Sequence, residues 1–347
     1  MKRPDSIADL VYELVRIPGP TGFEGRVSSR LKELLKDHVD EMYIDKMGSL
    51  IAKKKGTEGK HSLALVAHID QVSMVVLKVD DFVWFDKIGH INLTTLLGIP
   101  VLILGKERDV PGVVCSPSAH FQQEGATPKM WIDVGDRQKF VSVGDPIVFA
   151  HPPMWLNDDK TILASPSIDD RVGCGIMVEV AKRLKRPRHD IYFVGSAEEE
   201  VGCLGMRHVL RQITPDWLIA LDTGFAQDAI PDINKTVPMS TGVGVRRLSF
   251  SSPVTLPAAV NFASPRLNKL LVDTAQKSNI PFNEDASTRV FSDHNIAFEV
   301  NPNIESTFMF VARRYTHSPY EVADMTNAER AVAVLCQAIA TLDEWDE

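Results

Sequence analysis

Ser62-Leu-Ala-Leu-Val-Ala-His-Ile-Asp70 sets an apolar run against a histidine and then an acid. A run this continuous, without polar alternation, reads as a parallel strand covered on both faces. Two more runs share the form: Ile191-Tyr-Phe-Val194 ahead of Glu200, and Trp217-Leu-Ile-Ala-Leu221 ahead of Asp222. Ligands of open α/β sheets bind beyond the carboxyl ends of the strands, so His68, Glu200 and Asp222 are expected on one edge. Asp169 stands at a sharp strand-to-helix break, and His317 closes Arg313-Arg-Tyr-Thr-His317. Imidazoles and carboxylates gathered in this way suit a pair of divalent metals, which points to hydrolysis.

Each motif also has a plainer reading. An isolated histidine at a strand end is more often packed or exposed than a ligand. Asp70, two positions on and on the same strand face, can accept the second imidazole N–H of His68 and fix its tautomer. In Ser167-Ile-Asp-Asp-Arg-Val-Gly173 an aspartate can simply cap a helix. Yet adjacent carboxylates repel unless a cation takes up their charge. Glu198-Glu-Glu200 is a charge run of the kind that is usually solvated. Here apolar residues flank it on both sides, Val201, Cys203, Leu204 and Met206 among them, which places it in a cleft. Asp222 alone would be read equally well as an Asx-turn. The histidines His90, His120, His151 and His294 lack a strand-end setting with an acidic partner.

Helical spacing predicts a first helix capped by Asp5 or Ser6 and carrying Leu10, Val11, Leu14 and Val15. A second is expected from about Glu24 to Val39, followed by strands near Met42–Lys53 and Ser62–His68. From Gln71 to Ala164 short strand-like pieces dominate, such as Met74–Val79, Val101–Leu104, Gly112–Cys115 and Pro146–Phe149. After Ser165 helices (171–184, 203–212, 264–278, 327–342) alternate with strands (190–196, 217–222). The expected fold is α/β, a mixed sheet flanked by helices with an inserted all-β domain. Residues 1–69 and 165–347 would form the catalytic unit, and 70–164 the insert.

The 347 residues suffice for a large core and for two domains. A net charge of −8 argues against nucleic acid or an anionic membrane as the main partner. The four cysteines, Cys115, Cys174, Cys203 and Cys336, form no C-x-x-C pair and read as reduced thiols. Met1–Asp9 has no apolar stretch of signal type, and no run reaches about 18 apolar residues. A cytoplasmic protein is expected.

Five pieces in order, His68-Ile-Asp70, Asp169-Asp-Arg-Val-Gly173, Glu199-Glu-Val-Gly202, Leu221-Asp-Thr223 and Arg314-Tyr-Thr-His-Ser-Pro319, resemble the glutamyl and deblocking aminopeptidases that form tetrahedral particles. These are co-catalytic dinuclear metallopeptidases, with a zinc-aminopeptidase-like fold. The resemblance implies that Asp169 bridges two divalent ions, zinc or cobalt, with His68 and Asp222 on one and Glu200 and His317 on the other. It implies Glu199 as general base and Asp70 as the residue behind His68. Three carboxylates against two dications leave one positive charge, which a bridging hydroxide neutralises. Peptides with a free N-terminus would be the substrates, and the chain a homo-oligomer, at least a dimer through the insert and as a family-based figure a dodecamer.

Three departures bear on specificity. Gln71-Val-Ser73 replaces Glu-Val-Gly, a glycine pair is reduced to Gly89-His90, and Phe291-Ser-Asp293 replaces Gly-Thr-Asp. The alternatives are a carboxypeptidase or N-acyl amino acid deacylase of the same clan, or a metal-free scaffold. In the former the second domain usually lies between the fourth and fifth ligands. Here the strand-rich segment lies between His68 and Asp169, which favours the aminopeptidase branch.

Overall fold

Strand Ser62–His68 runs through the middle of the molecule, and the computed structural model explains its composition. Leu63, Leu65 and Ala67 enter one buried cluster, while Ala64 and Val66 enter another on the opposite face. A strand buried on both sides has no position for a polar residue until it ends. The structure describes residues 4–118, 120, 129–229, 237–287 except 251–259, 290–342 and 344–345. Part of the expected insert, residues 119 and 121–128, lies outside that set.

In chain order, α1 (Ile7–Leu14) and α2 (Gly25–Leu35) precede β1 (Glu41–Ile44), β2 (Leu50–Lys54) and β3 (Ser62–His68). Then come β4 (Ser73–Val79), β5 (Val83–Ile88), β6 (Pro100–Leu104), β7 (Asp109–Cys115), β8 (Trp131–Asp133) and β9 (Pro146–Phe149). These six close into a barrel of order β4-β5-β8-β7-β6-β9 around Met74, Val76, Ile103, Val114, Ile132 and Ile147. The chain returns through β10 (Met154–Trp155), β11 (Ile162–Ser165), α3 (Ile168–Arg183), β12 (Asp190–Ser196), α4 (Leu204–Val209) and β13 (Trp217–Phe225). It ends with β14 (Val243–Phe250), β15 (Val260–Phe262), α5 (Pro265–Lys277), β16 (Asn283–Ser287), α6 (Asp293–Val300), β17 (Glu305–Arg314), β18 (Glu321–Asp324) and α7 (Met325–Leu342).

The large sheet is mixed, with the order β1-β2-β12-β3-β13-β17-β18-β11-β10 and with β14, β15 and β16 attached beside β17. Its centre, β12-β3-β13-β17, is parallel throughout, so the carboxyl ends of these four strands face one edge. Helices α1, α2, α3, α5 and α7 cover one face, and α4 and α6 the other. Ser6 caps α1 by accepting from the backbone N–H of Asp9, which leaves Ile7, Leu10, Val11 and Leu14 facing the core.

Several elements differ from their expected form. The single strand expected over 42–53 is a hairpin, β1 and β2. Asp45 accepts the backbone N–H groups of Met47 and Ser49, and Gly48 takes φ +92°, which turns the chain. Helix α2 stops at Leu35 rather than near Val39. Strand β13 continues past 222 to Phe225, so Asp222 lies within it. Helix α6 had no counterpart in the expected elements, because its first turn is polar. Ser292 and Asn295 there form a reciprocal capping box. No helix among the described residues is long and apolar enough to cross a membrane.

Helix α4 packs onto the turn that carries the three glutamates. A Cβ added at Gly205 would lie 2.2 Å from the carbonyl oxygen of Ala197, whereas one at Gly25 would meet nothing within 4 Å. Gly205→Ala is therefore expected to cost about 1–3 kcal/mol in a denaturant titration. Gly25→Ala should stay within about 1 kcal/mol of the parent. Equal stabilities for the two variants would contradict this packing.

Candidate metal centre

The parallel centre of the sheet delivers its side chains to one place. His68, the last residue of β3, is 3% exposed, and its Nδ1 lies 3.2 Å from Asp70 Oδ1. Asp70 is fully buried and accepts three further hydrogen bonds: from Thr21 Oγ1 (2.9 Å) and from the backbone N–H groups of Glu199 (3.0 Å) and Glu200 (3.1 Å). Burial alone would raise its pKa, but His68 and these donors hold it below the ordinary value. With Nδ1 turned to Asp70, the Nε2 atom of His68 faces the cleft.

Asp169 lies opposite. The chain enters α3 through Ser167 at φ +64°, and the Asp169–Asp170 peptide is cis. Asp169 Oδ1 is 3.2 Å from His68 Nε2 and accepts from Thr223 Oγ1 at 2.9 Å. Its Oδ2 is 3.3 Å from His317 Nε2 and accepts from Arg313 Nη2. His317 Nε2 is also 3.3 Å from Glu200 Oε2, and its Nδ1 is 3.0 Å from the carbonyl of His90. That carbonyl belongs to the segment between β5 and β6, so the barrel region orients one histidine of the cleft. On the other side, Asp222 Oδ1 is 3.9 Å from His68 Nε2, and Asp222 Oδ2 accepts from Ser292 Oγ at 2.7 Å.

The five residues singled out as ligands thus converge, and Glu199 stands beside them. Its carboxylate is 3.5 Å from the Cys203 thiol. Ligand atoms of His68, Asp169 and Glu200 lie within 4.8 Å of one another, as do those of His68, Asp170 and Asp222. Asp170 was not among the expected ligands. Its Oδ1 accepts from the backbone N–H of Gly173, while Oδ2 is buried without a partner. No role was expected for Arg313, Thr223 and Ser292, although they lie in quoted stretches, or for Glu321 and Thr21, because nothing local in the sequence signals a tertiary partner. Ser292 and Asp293 fall in the departure Phe291-Ser-Asp293, and Asp293 accepts from Ser196 Oγ.

The electrostatics match a cation site. Burial, reinforced by Asp169 and opposed by His317, lifts Glu200 to about 7. Burial and Asp169 lift Asp222 to about 6, and burial pushes Asp170 and Glu199 well above the usual carboxylate range. For His317 burial acts downward, but Glu200 and Asp169 outweigh it and raise the imidazole to about 9. Glu200 Oε1, like Asp170 Oδ2, is buried without a hydrogen-bond partner. A pocket that takes up protons and orphans carboxylate oxygens has spare negative charge, and its oxygen and imidazole donors fit divalent ions.

The family profile of M42 glutamyl aminopeptidase matches residues 48–334. A protein of Acetivibrio thermocellus, provisionally named an aminopeptidase, is 30% identical over 342 residues and spans 96% of this chain and 99% of its own length. An aminopeptidase structure from the archaeon Desulfurococcus kamchatkensis superposes with a TM-score of 0.87 at 25% identity, covering 96% of this chain and 97% of that one. The TET1 peptidase of Pyrococcus horikoshii, described as assembling into a tetrahedron or a large octahedral shell, gives 0.82 at 22% identity over 96% and 99%.

Glu200 and His317 hold protons more tightly in the fold than in the open chain, up to about 7 and about 9. The metal-free fold therefore carries the extra protons, and its stability falls as pH rises through those windows. His294, which burial pushes down to about 3, acts in the opposite sense but only below 6.5. The chelated protein should accordingly show a melting temperature that falls between about pH 6.5 and about pH 9. Added Zn²⁺ should restore it. A rise over that interval in chelator would contradict the charge balance described.

Proposed function

Because the chain belongs to the M42 glutamyl aminopeptidase family, and is thus a peptidase, we propose that it removes N-terminal residues from peptides with two divalent cations held at the cleft. The observation that carries this reading is the placement of Asp169. Its Oδ1 faces His68 and its Oδ2 faces His317, so one carboxylate addresses both halves of the cleft. His68 and Asp222 would hold one ion, Glu200 and His317 the other, with Asp169 shared. Asp170 stands near the first of these sets. When bound, the ions, zinc or cobalt by the donor chemistry, would polarise the scissile carbonyl and acidify the attacking water.

The remaining work falls to the protein's own groups. Glu199 is held by its backbone N–H on Asp70, and its carboxylate is not among the proposed ligands. It would accept the proton of the attacking water and pass it to the leaving amine. Burial raises its carboxyl well above the ordinary value, the direction a base working near neutrality requires. Asp70 keeps the His68 ring in place and anchors the glutamate turn with the same carboxylate.

The same reading makes residues 1–69 and 165–347 the catalytic unit and 70–164 the inserted one. The barrel formed by β4–β9 supports that division. By analogy with the Pyrococcus horikoshii particle, we propose a homo-oligomer, at least a dimer through the insert, with a dodecamer as the family-based figure. Four free cysteines are in keeping with a cytoplasmic setting.

Two experiments test this reading. A panel of amino acid p-nitroanilides beside N-acylated amino acids should give turnover only with the free amine. Exclusive turnover of the acylated compounds would favour the deacylase instead. Glu199→Gln should keep its metal while kcat falls by about 10²–10⁴-fold, the span typical of a lost general base. Glu200→Gln should weaken metal binding, and Glu198→Gln should change little. Abolished turnover in Glu198→Gln with an active Glu199→Gln would displace the base by one residue.

A further inference from the structure

Arg313 lies beside the proposed ligands, one residue ahead of the piece Arg314-Tyr-Thr-His-Ser-Pro319 that carries the family resemblance. It is 3% exposed, and every described contact of its guanidinium is internal. Nη2 donates to Asp169 Oδ2, Nη1 to Thr316 Oγ1 (2.9 Å) and Nε to Glu321 Oε1 (3.1 Å). Glu321 in turn accepts the backbone N–H groups of Asp169 (2.9 Å) and His317 (2.9 Å).

The two oxygens of Asp169 are therefore unequal. Oδ1 meets His68 and a neutral hydroxyl, Thr223 Oγ1. Oδ2 meets His317 and a guanidinium that cannot lose its proton. A cation joining His68 and Asp222 displaces at most a hydroxyl from its share of Asp169. A cation joining Glu200 and His317 must take its oxygen from a buried, charge-assisted hydrogen bond and then sit beside a like charge. Glu321 offsets part of that charge and also anchors the strand end from which Arg313 projects.

We propose that Arg313 is a built-in rival for the second cation, so that the His68/Asp222 position fills first and the Glu200/His317 position fills weakly and last. In the metal-poor protein the guanidinium takes the place of the missing charge at Asp169 and keeps the cleft assembled. This inference rests on the two-cation reading above.

Stepwise binding to the chelator-stripped full chain tests it, with Co²⁺ followed by equilibrium dialysis and elemental analysis and no turnover assay. The wild type should bind two ions in separate steps, the second at least about tenfold weaker, as competition with a charge-assisted bond implies. Arg313→Met should tighten the second step by about tenfold or more and leave the first within about threefold. Glu321→Gln removes the charge that offsets Arg313 and should weaken the second step further. The double variant Arg313→Met/Glu321→Gln should regain the tighter second step. It also covers the case in which Arg313→Met does not fold alone. A second step unchanged or weakened in Arg313→Met, or one left weak in the double variant, overturns the proposal and leaves Arg313 a structural residue. A wild type that binds no second ion even in excess Co²⁺ instead sinks the two-cation reading itself.

Discussion

The buried carboxylate of Asp169 is the constraint around which the cleft is arranged. Removing such a charge from water costs several kcal/mol unless its surroundings replace the lost hydration. Here the replacement is complete on both oxygens: His68 and Thr223 on one, Arg313 and His317 on the other. These four partners come from β3, β13, β17 and the turn after β17. Their approach to a single carboxylate depends on those strands being parallel neighbours with a common carboxyl edge.

Two further buried carboxylates repeat the arrangement one layer out. Asp70 accepts backbone N–H groups from Glu199 and Glu200 while its other contact fixes the ring of His68. Glu321 accepts backbone N–H groups from Asp169 and His317 while it holds Arg313. Asp70 thus ties the glutamate turn to one side chain of the cleft, and Glu321 ties two loop segments to another. Helix α3 completes the frame, since the fully buried Arg171 donates to the carbonyls of Ile69 and Asp70 just beyond β3. Loops that carry reactive groups are held here by side chains rather than by sheet hydrogen bonds. That is how a precise donor set can sit where regular structure ends.

Much of this was legible in the chain because strand-end chemistry is local. The apolar run of Ser62–Ala67 announces a doubly covered strand, and a histidine followed two residues later by an acid announces an oriented imidazole. The motifs then brought the M42 family into view, and the profile over residues 48–334 shows it. What stayed hidden depends on tertiary neighbours. Arg313 and Glu321 are eight residues apart on different strands, and only the pairing of β17 with β18 brings them together. The carbonyl of His90 reaches His317 across 227 residues, and a backbone atom leaves no trace in composition. The hairpin at Asp45 was missed because its turn uses a side chain to imitate backbone hydrogen bonds, and α6 because its capping box lies inside a polar stretch.

The central claim is that Asp169 serves two cations at once. Anomalous diffraction from crystals equilibrated with Zn²⁺, collected on both sides of the zinc edge, tests it most directly. The account predicts two peaks per chain, both in contact with Asp169, one shared with His68 and Asp222 and the other with Glu200 and His317. A single peak at saturating zinc, or a pair that leaves Asp169 uncoordinated, would contradict it.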